Sequence, residues 1–501
     1  MRPYCPPLTL FRCTTTGRKC DGYAQNTKNS HFGSFALSES PSPPRGPSVY
    51  YAFGDNIQYL EFYHHRAAPT ISTRFDRDFW TQMPLKMAQS ELCVRHALVA
   101  LSYINKSESG SLKDARSGLF SISKHKTLLV HYNKAVSLLV RRMSEPSFLP
   151  EVGVVCCLLF IAIELIRGNY SSAMAHYRSG LDIVVAHRKR QLAAKYASNS
   201  NMIEESLVPM FTRMMVNGVL HGLETERVSY TQHFPCSTQE CGFSSLHEAE
   251  CSMINIRNMS VILIRSLGQK IVEQTPHTEE ELQTQRDYVE NQRTWLRALI
   301  KFEAETTLSE EDKMTIQSLK AQHYCIYIFT TGAILQSQTQ LDQYLDDFKA
   351  IVHHSRGYLD YKQSTSPNTP GANFTFEMGL ILGLYMTACR CRCPATRREA
   401  LALLERDIPR EGLWDAQQHA LVARRVIELE EREVDPMTGW PVERARIWST
   451  QIHGDMDGSG RFPVFLAVGH WGEGRGTPPL PPGMKIDTHP EGRVWREWFV
   501  L

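Results

Sequence analysis

The chain has 501 residues, 42% hydrophobic and 22% charged, the balance of an ordinary globular protein long enough to bury a large core. A net charge of +2 excludes a chain-wide basic field, so any hold on nucleic acid has to come from a local patch. The 13 cysteines, with no apolar leader in the opening MRPYCPPLTLF, point to a reducing compartment where thiols stay free or bind metal.

Residues 1–23 hold a small basic knot, RCTTTGRKCDGY at 12–23, in which six residues separate Cys13 from Cys20. Two thiols at this spacing look like half of a metal site, and Arg12, Arg18 and Lys19 beside them can touch phosphates, contacts that carry no base sequence. Residues 24–49 are rich in Ser, Pro, Gly and Asn, too poor in apolar side chains to offset the entropy of ordering, and read as a disordered linker.

From 50 to 448 the pattern is helical. Val94, Ala97, Leu98, Leu101 and Ile104 share one face, as do Leu128, Tyr132, Val136, Leu139 and Met143, and again Ala173, Tyr177, Leu181 and Val184. Between the second and third of these stripes, VGVVCCLLFIAI at 152–163 has no polar face. At twelve residues it is too short to span a bilayer and is expected to be a core helix enclosed by the amphipathic ones, with Gly168 stopping it and Asn169 capping the next. The expected fold is all-α: antiparallel helical hairpins around a central apolar helix. The last segment, 449–501, with GEGRGTPPLPPG at 472–483, reads as a loosely structured tail, although FPVFLAV at 462–468 is a β-type run.

Catalysis has no visible seat. HEAEC at 247–251 lacks the second histidine of a zinc-protease helix, and DMDGSG at 455–460 has Leu466 where a calcium loop needs a bidentate glutamate, so it reads as a polar turn. The thiols of CRCRC at 389–393 alternate sides on a helix and read as helix-end cysteines before Pro394. The basic run HRKRQLAAK at 187–195 suits a helix C-terminus, with nuclear import as the lesser reading. No phosphate loop or nucleophile elbow occurs, and an enzyme is not expected.

RCTTTGRKCDGY resembles the closing half of the fungal zinc binuclear cluster, in which six thiolates hold two zinc ions and a short helix enters the DNA major groove. On that resemblance Cys13 and Cys20 are the last two ligands, Leu10 stands where another is expected, and the opening half is absent. The resemblance continues in LEFYHHRAAPTISTRFDRDFWTQMPLKMAQSELCVRHALVALS at 60–102, HYNKAVSLL at 131–139, CLLFIAIELIRGNYSSAMAHYRSGLDIV at 157–184 and PREGLWDAQQHALVARRVIELEE at 409–431. These stretches are similar, in order, to the helical regulatory domain of fungal-specific transcription factors.

The resemblance implies a nuclear regulator of metabolic genes, a secondary-metabolite cluster among them, acting through promoter DNA and protein partners or a homodimer, with no membrane association. Zinc is the cofactor of an intact member, but two thiolates do not satisfy a tetrahedral ion, so this chain as it stands is expected to bind none. Either an upstream exon completes the cluster or the reading head has been lost. In the second case the chain is a helical interaction protein that modulates other regulators.

Overall fold

A computed structural model describes residues 56–468 and 494–501, apart from stretches at 74–75, 108–124, 194–201, 221–241, 273–274, 336, 366–373, 377, 407, 453–455 and 458. The cysteine knot at 1–23 and the linker at 24–49 lie outside the described residues.

The chain enters through α1 (Ile57–Phe62), a π-turn (Tyr63–Ala67) and α2 (Ala68–Ile71), followed by α3 (Arg77–Ser90) and α4 (Leu92–Ser107). On α4 all five stripe residues, Val94, Ala97, Leu98, Leu101 and Ile104, are buried. The stripe on α5 (Lys126–Met143) holds in part: Leu128 and Leu139 are buried and Met143 is exposed. Ala135 takes the buried position between them, because a residue every three or four steps drifts around the cylinder and α4 covers only part of it.

The apolar run becomes α6 (Pro150–Ile166), and every residue from Glu151 to Ile166 is buried. Pro150 sits in the first turn, where its missing N–H costs nothing. At the other end Gly168 takes φ +67°, Asn169 N donates to Glu164 O at 2.8 Å and Gly168 N to Leu165 O at 3.0 Å. This pair of bonds satisfies two carbonyls that a helix end leaves orphaned, and the left-handed glycine makes it affordable. Asn169 Oδ1 then accepts from Ser172 N at 3.4 Å and opens α7 (Tyr170–Ala193), which packs back along α6.

The α6–α7 contact is close because Gly180 lies in it. A Cβ there would stand 2.6 Å from Phe211 Cε1, nearer still to Cζ, and 3.3 Å from Cys157 Cβ. Phe211 is fully buried and Tyr177 Oη donates to its carbonyl at 2.9 Å, so the ring has little room to yield. Gly180→Ala would gain about 1 kcal/mol of helix propensity, yet the overpacking of roughly 1–3 kcal/mol outweighs it. The expected result is a lower urea midpoint; a raised midpoint would show that Phe211 moves freely.

The second half adds α8 (Val208–Leu220), α9 (Leu246–Val272), α10 (Glu279–Glu305), α11 (Glu310–Gly332) and α12 (Leu345–Thr365). Thr278 with Glu281, and Ser309 with Asp312, form reciprocal capping boxes that fix the starts of α10 and α11. Inside this layer the buried Gln292 amide donates at 2.8 Å to both Ser260 Oγ and Thr330 Oγ1, tying α10 to α9 and α11. A short parallel ladder follows, β1 (Phe374–Thr375) on β2 (Arg410–Glu411), with α13 (Ile381–Arg390) and α14 (Pro394–Leu404) between the two in sequence and α15 (Ala416–Glu430) after them.

Apart from this two-residue ladder, the all-α expectation is met through α15. The loosely structured tail expected over 449–501 is corrected where it is described: β3 (Ile447–Ile452), β4 (Arg461–Val468) and β5 (Val494–Val500) form an antiparallel sheet with β4 in the middle. Phe462, Val464 and Leu466 are fully buried at alternate positions, which is why this face holds to the helices. Pro463 is tolerated in a middle strand because β3 ends opposite Val464, so only β5 pairs there.

Candidate functional site

The CRCRC stretch forms the joint between α13 and α14, and its chemistry lies in the arginines. Cys389 lies in the last turn of α13, Cys391 caps it and Cys393 precedes α14, with Pro394 in that helix's first turn. Burial pushes the thiols of Cys389 and Cys391 up to about 12, so both stay protonated.

Arg392 and Arg397 are at most 1% exposed and converge on one fully buried carboxylate. Glu430 Oε1 accepts from Arg392 Nη2 at 2.9 Å and from Ile447 N at 2.8 Å, while Oε2 accepts from Arg397 Nη2 at 2.7 Å. Burial raises the Glu430 carboxyl, and the two guanidiniums, Arg392 first, outweigh it and hold it below the usual carboxylate range. One carboxylate therefore joins the α13–α14 corner, the end of α15 and the first residue of β3.

The same corner extends outward. Arg446 makes a two-pronged pair with Asp342, both bonds 2.7 Å, and Glu443 accepts from Gln338 N at 2.9 Å and Thr339 N at 2.7 Å, holding the start of the short 3-10 helix Gln338–Tyr344. Arg390 differs from its neighbours. Its Nη1 donates to Gln338 Oε1 at 2.9 Å and Ile447 O at 2.8 Å, both neutral, and among the described residues no carboxylate pairs with it.

A second polar hinge sits on β2. Arg410 Nη2 donates to the carbonyls of Leu165 and Ile166 (3.0 Å to the latter), the last ones of α6, and its guanidinium lies 5.3 Å from the Phe374 ring centre. The next residue, Glu411, accepts from Gly379 N at 2.9 Å, Leu380 N at 2.8 Å and Ile381 N at 3.0 Å, the opening of α13. A cation at one helix C-terminus and an anion at another N-terminus both oppose the helix dipoles.

The residues singled out for metal or DNA, Arg12, Cys13, Arg18, Lys19 and Cys20, lie outside the described residues. Among the described residues no group of three or more His, Cys, Asp or Glu could hold a metal ion, and no helix is long and apolar enough to cross a membrane. The HEAEC pair meets only as Cys251 Sγ 3.6 Å from His247 Nε2, and Asp457 folds onto Ser459 N at 2.9 Å and Arg461 N at 3.0 Å as a polar turn. In the 187–195 run Arg188 is bound to Glu204 at 2.7 Å. Glu430 and Arg397 at the joint and Arg410 at the second hinge are not among the residues singled out from the sequence. A signal was present: Glu430 continues the buried face Val422, Ala423, Val426 and Ile427, and Arg397 continues the face of Ala400 and Leu404.

The fungal-specific transcription factor domain matches residues 58–429, a span that holds the Arg410–Glu411 hinge and the arginines of the joint and ends one residue before Glu430. Of curated relatives, the transcription regulator lscL of Purpureocillium lilacinum is 27% identical over 193 residues, 36% of this chain and 45% of that protein. The aspercryptin biosynthesis cluster-specific transcription regulator atnN of Emericella nidulans is 24% identical over 238 residues, 42% of this chain and 36% of that protein. The matched part is thus less than half of either relative's length. No solved structure matches. The family and these relatives are transcription regulators rather than enzymes, and with the domain matched across most of its length the chain belongs to the fungal-specific transcription factor family.

Proposed function

We propose that this protein regulates a set of metabolic genes, a secondary-metabolite cluster being the best-supported kind, and that it works in the nucleus on promoter DNA with protein partners or a second copy of itself. The observation that carries the reading is the regulatory domain itself, whose match spans 58–429, joined by a relative named for one biosynthesis cluster. Segment 12–23 would be the nucleic-acid end, with Arg12, Arg18 and Lys19 on phosphates. Cys13 and Cys20 give two of the four donors that one tetrahedral zinc requires, so these two do not by themselves complete a site.

Two measurements test this. Deleting or overexpressing the gene should shift transcripts of a contiguous group of biosynthetic genes; unchanged transcripts would overturn the regulator of metabolism. The purified 501-residue chain should hold less than one zinc and bind duplexes weakly, without sequence preference and with a steep loss as salt rises. Two zinc ions per chain, lost on Cys13→Ser or Cys20→Ser, would instead mean a complete cluster that reads DNA as it stands.

A further inference from the structure

The unmatched guanidinium of Arg390 lies on the wall of a pocket of about 180 Å³, partly open to solvent, between α9, α11, α12, α13 and β3. The rest of the wall is mainly apolar, with Ile264, Gly268, Phe329, Phe348 and Trp448 surrounding it. We propose that this pocket binds a small organic carboxylate, its anionic head on Arg390 and its apolar body between Phe329, Phe348 and Trp448.

Three independent features support that occupant. First, the charge count is uneven. Arg390, Arg392 and Arg397 surround the single buried carboxylate of Glu430, both of whose oxygens are already engaged by the other two arginines and Ile447 N. Glu431, the next carboxylate, stands 3.7 Å from Arg397 and is bound to Arg398. Burial, and then Arg392, draw the Arg390 guanidinium down to about 10, so an added anion would relieve an existing cost. A planar fork with free N–H donors suits a carboxylate.

Second, the hollow is built into the backbone. Gly268 lies inside the long helix α9, where glycine costs about 1 kcal/mol relative to alanine, and a Cβ there would meet no atom within 4 Å. Gly332, at the end of α11, lines the same space. Third, the size fits. An apolar cavity of about 150 Å³ accommodates benzene, so 180 Å³ suits one ring or a short alkyl chain with its acid group.

The test is titration calorimetry on the full chain with 3-phenylpropionate, using 3-phenylpropan-1-ol and 3-phenylpropylamine as matched bodies without the anion. The acid should bind about tenfold to a hundredfold more tightly than the alcohol, as a charge-assisted contact predicts, and the amine should not bind measurably. Arg390→Gln should bring acid and alcohol to the same affinity. Gly268→Leu, whose side chain fills open space, should abolish binding of both while leaving the circular dichroism unchanged. Gly268→Ala should raise the melting temperature and weaken the acid. Equal affinity of acid and alcohol in the parent chain, no binding of either, inorganic phosphate binding as well as the acid, or undiminished binding in Gly268→Leu would each overturn the proposal. The parent-chain comparison and the Gly268 variants keep it decidable even if Arg390→Gln fails to fold. None of these readouts uses DNA, so they are independent of the regulatory reading.

Discussion

Glu430→Gln should destabilise the protein by about 3–5 kcal/mol, because it removes the partner of two guanidiniums that cannot reach water. Arg392 and Arg397 are at most 1% exposed, and the amide that replaces the carboxylate has one acceptor oxygen for donors that now approach from three directions. Against a total stability of typically 5–15 kcal/mol, that is a large share. The cost belongs to breaking the cluster, not to lacking it. Converting Arg392→Met and Arg397→Met together with Glu430→Leu should recover most of the loss, since well-packed apolar replacements of a buried ionic cluster are often neutral or better. Urea midpoints of the single and triple variants check both statements; a triple variant as unstable as the single one would locate the cost in packing rather than charge.

The same carboxylate gives the protein a pH dependence of definite sign. Glu430 is held below its ordinary value in the fold, so its contribution is fully present above the unfolded carboxyl pKa of about 4.3 and is lost as the pH falls from there through the depressed folded value. In Glu430→Gln this part of the acid sensitivity should vanish. The difference in stability between parent and variant should therefore shrink as the pH is lowered below 4, and a constant difference across that range would rule the ion pairs out as its source.

What was legible in the chain was the apolar period. VGVVCCLLFIAI announced its own burial because no face of it could meet water, and the stripes on α4 and α7 carried through residue by residue. Gly168 was legible too, since a glycine a turn beyond such a run has the left-handed stop as its commonest use. Charged residues on core faces were harder. Glu430 reads as one more acidic residue in IELEE, and only its place three and four positions after Ile427 and Val426 marks it as inward-facing. Its partners come from elsewhere in the chain, Arg392 and Arg397 from 38 and 33 residues before it and Ile447 N from 17 residues after it, and no local spacing encodes that set. The C-terminal sheet was missed for a related reason. The run FPVFLAV shows β4, but its partner is remote: β4 and β5 are separated by the Gly- and Pro-rich 469–493, whose composition argues for a loop and hides the VWREWFV strand behind it.

Arg410 and Glu411 show the same limit, and they carry the second large effect. Glu411→Ala should cost on the order of 3–5 kcal/mol, since three N–H groups at the start of α13 lose a shared carboxylate and two of those bonds are buried. The local backbone is shaped around that carboxylate. A Cβ on Gly379 would stand 2.7 Å from Glu411 Oε1, so a side chain there would push the carboxylate off the bonds it makes. Gly412 takes φ +59° and donates to Thr375 O at 2.7 Å, so the turn after β2 holds Glu411 facing α13 while Arg410 caps α6. Adjacent residues on a strand point to opposite sides, which lets one dipeptide serve two helix ends. Loosening it should let α13 fray from its N-terminus before the rest of the domain opens. Hydrogen exchange of the Leu380 and Ile381 amides is the discriminating readout: in Glu411→Ala their protection should fall well below that of the α6 amides. Equal protection losses in both helices would mean that Glu411 supports the whole core instead of this one helix start, and a urea midpoint within experimental error of the parent would dismiss the cap as a source of stability.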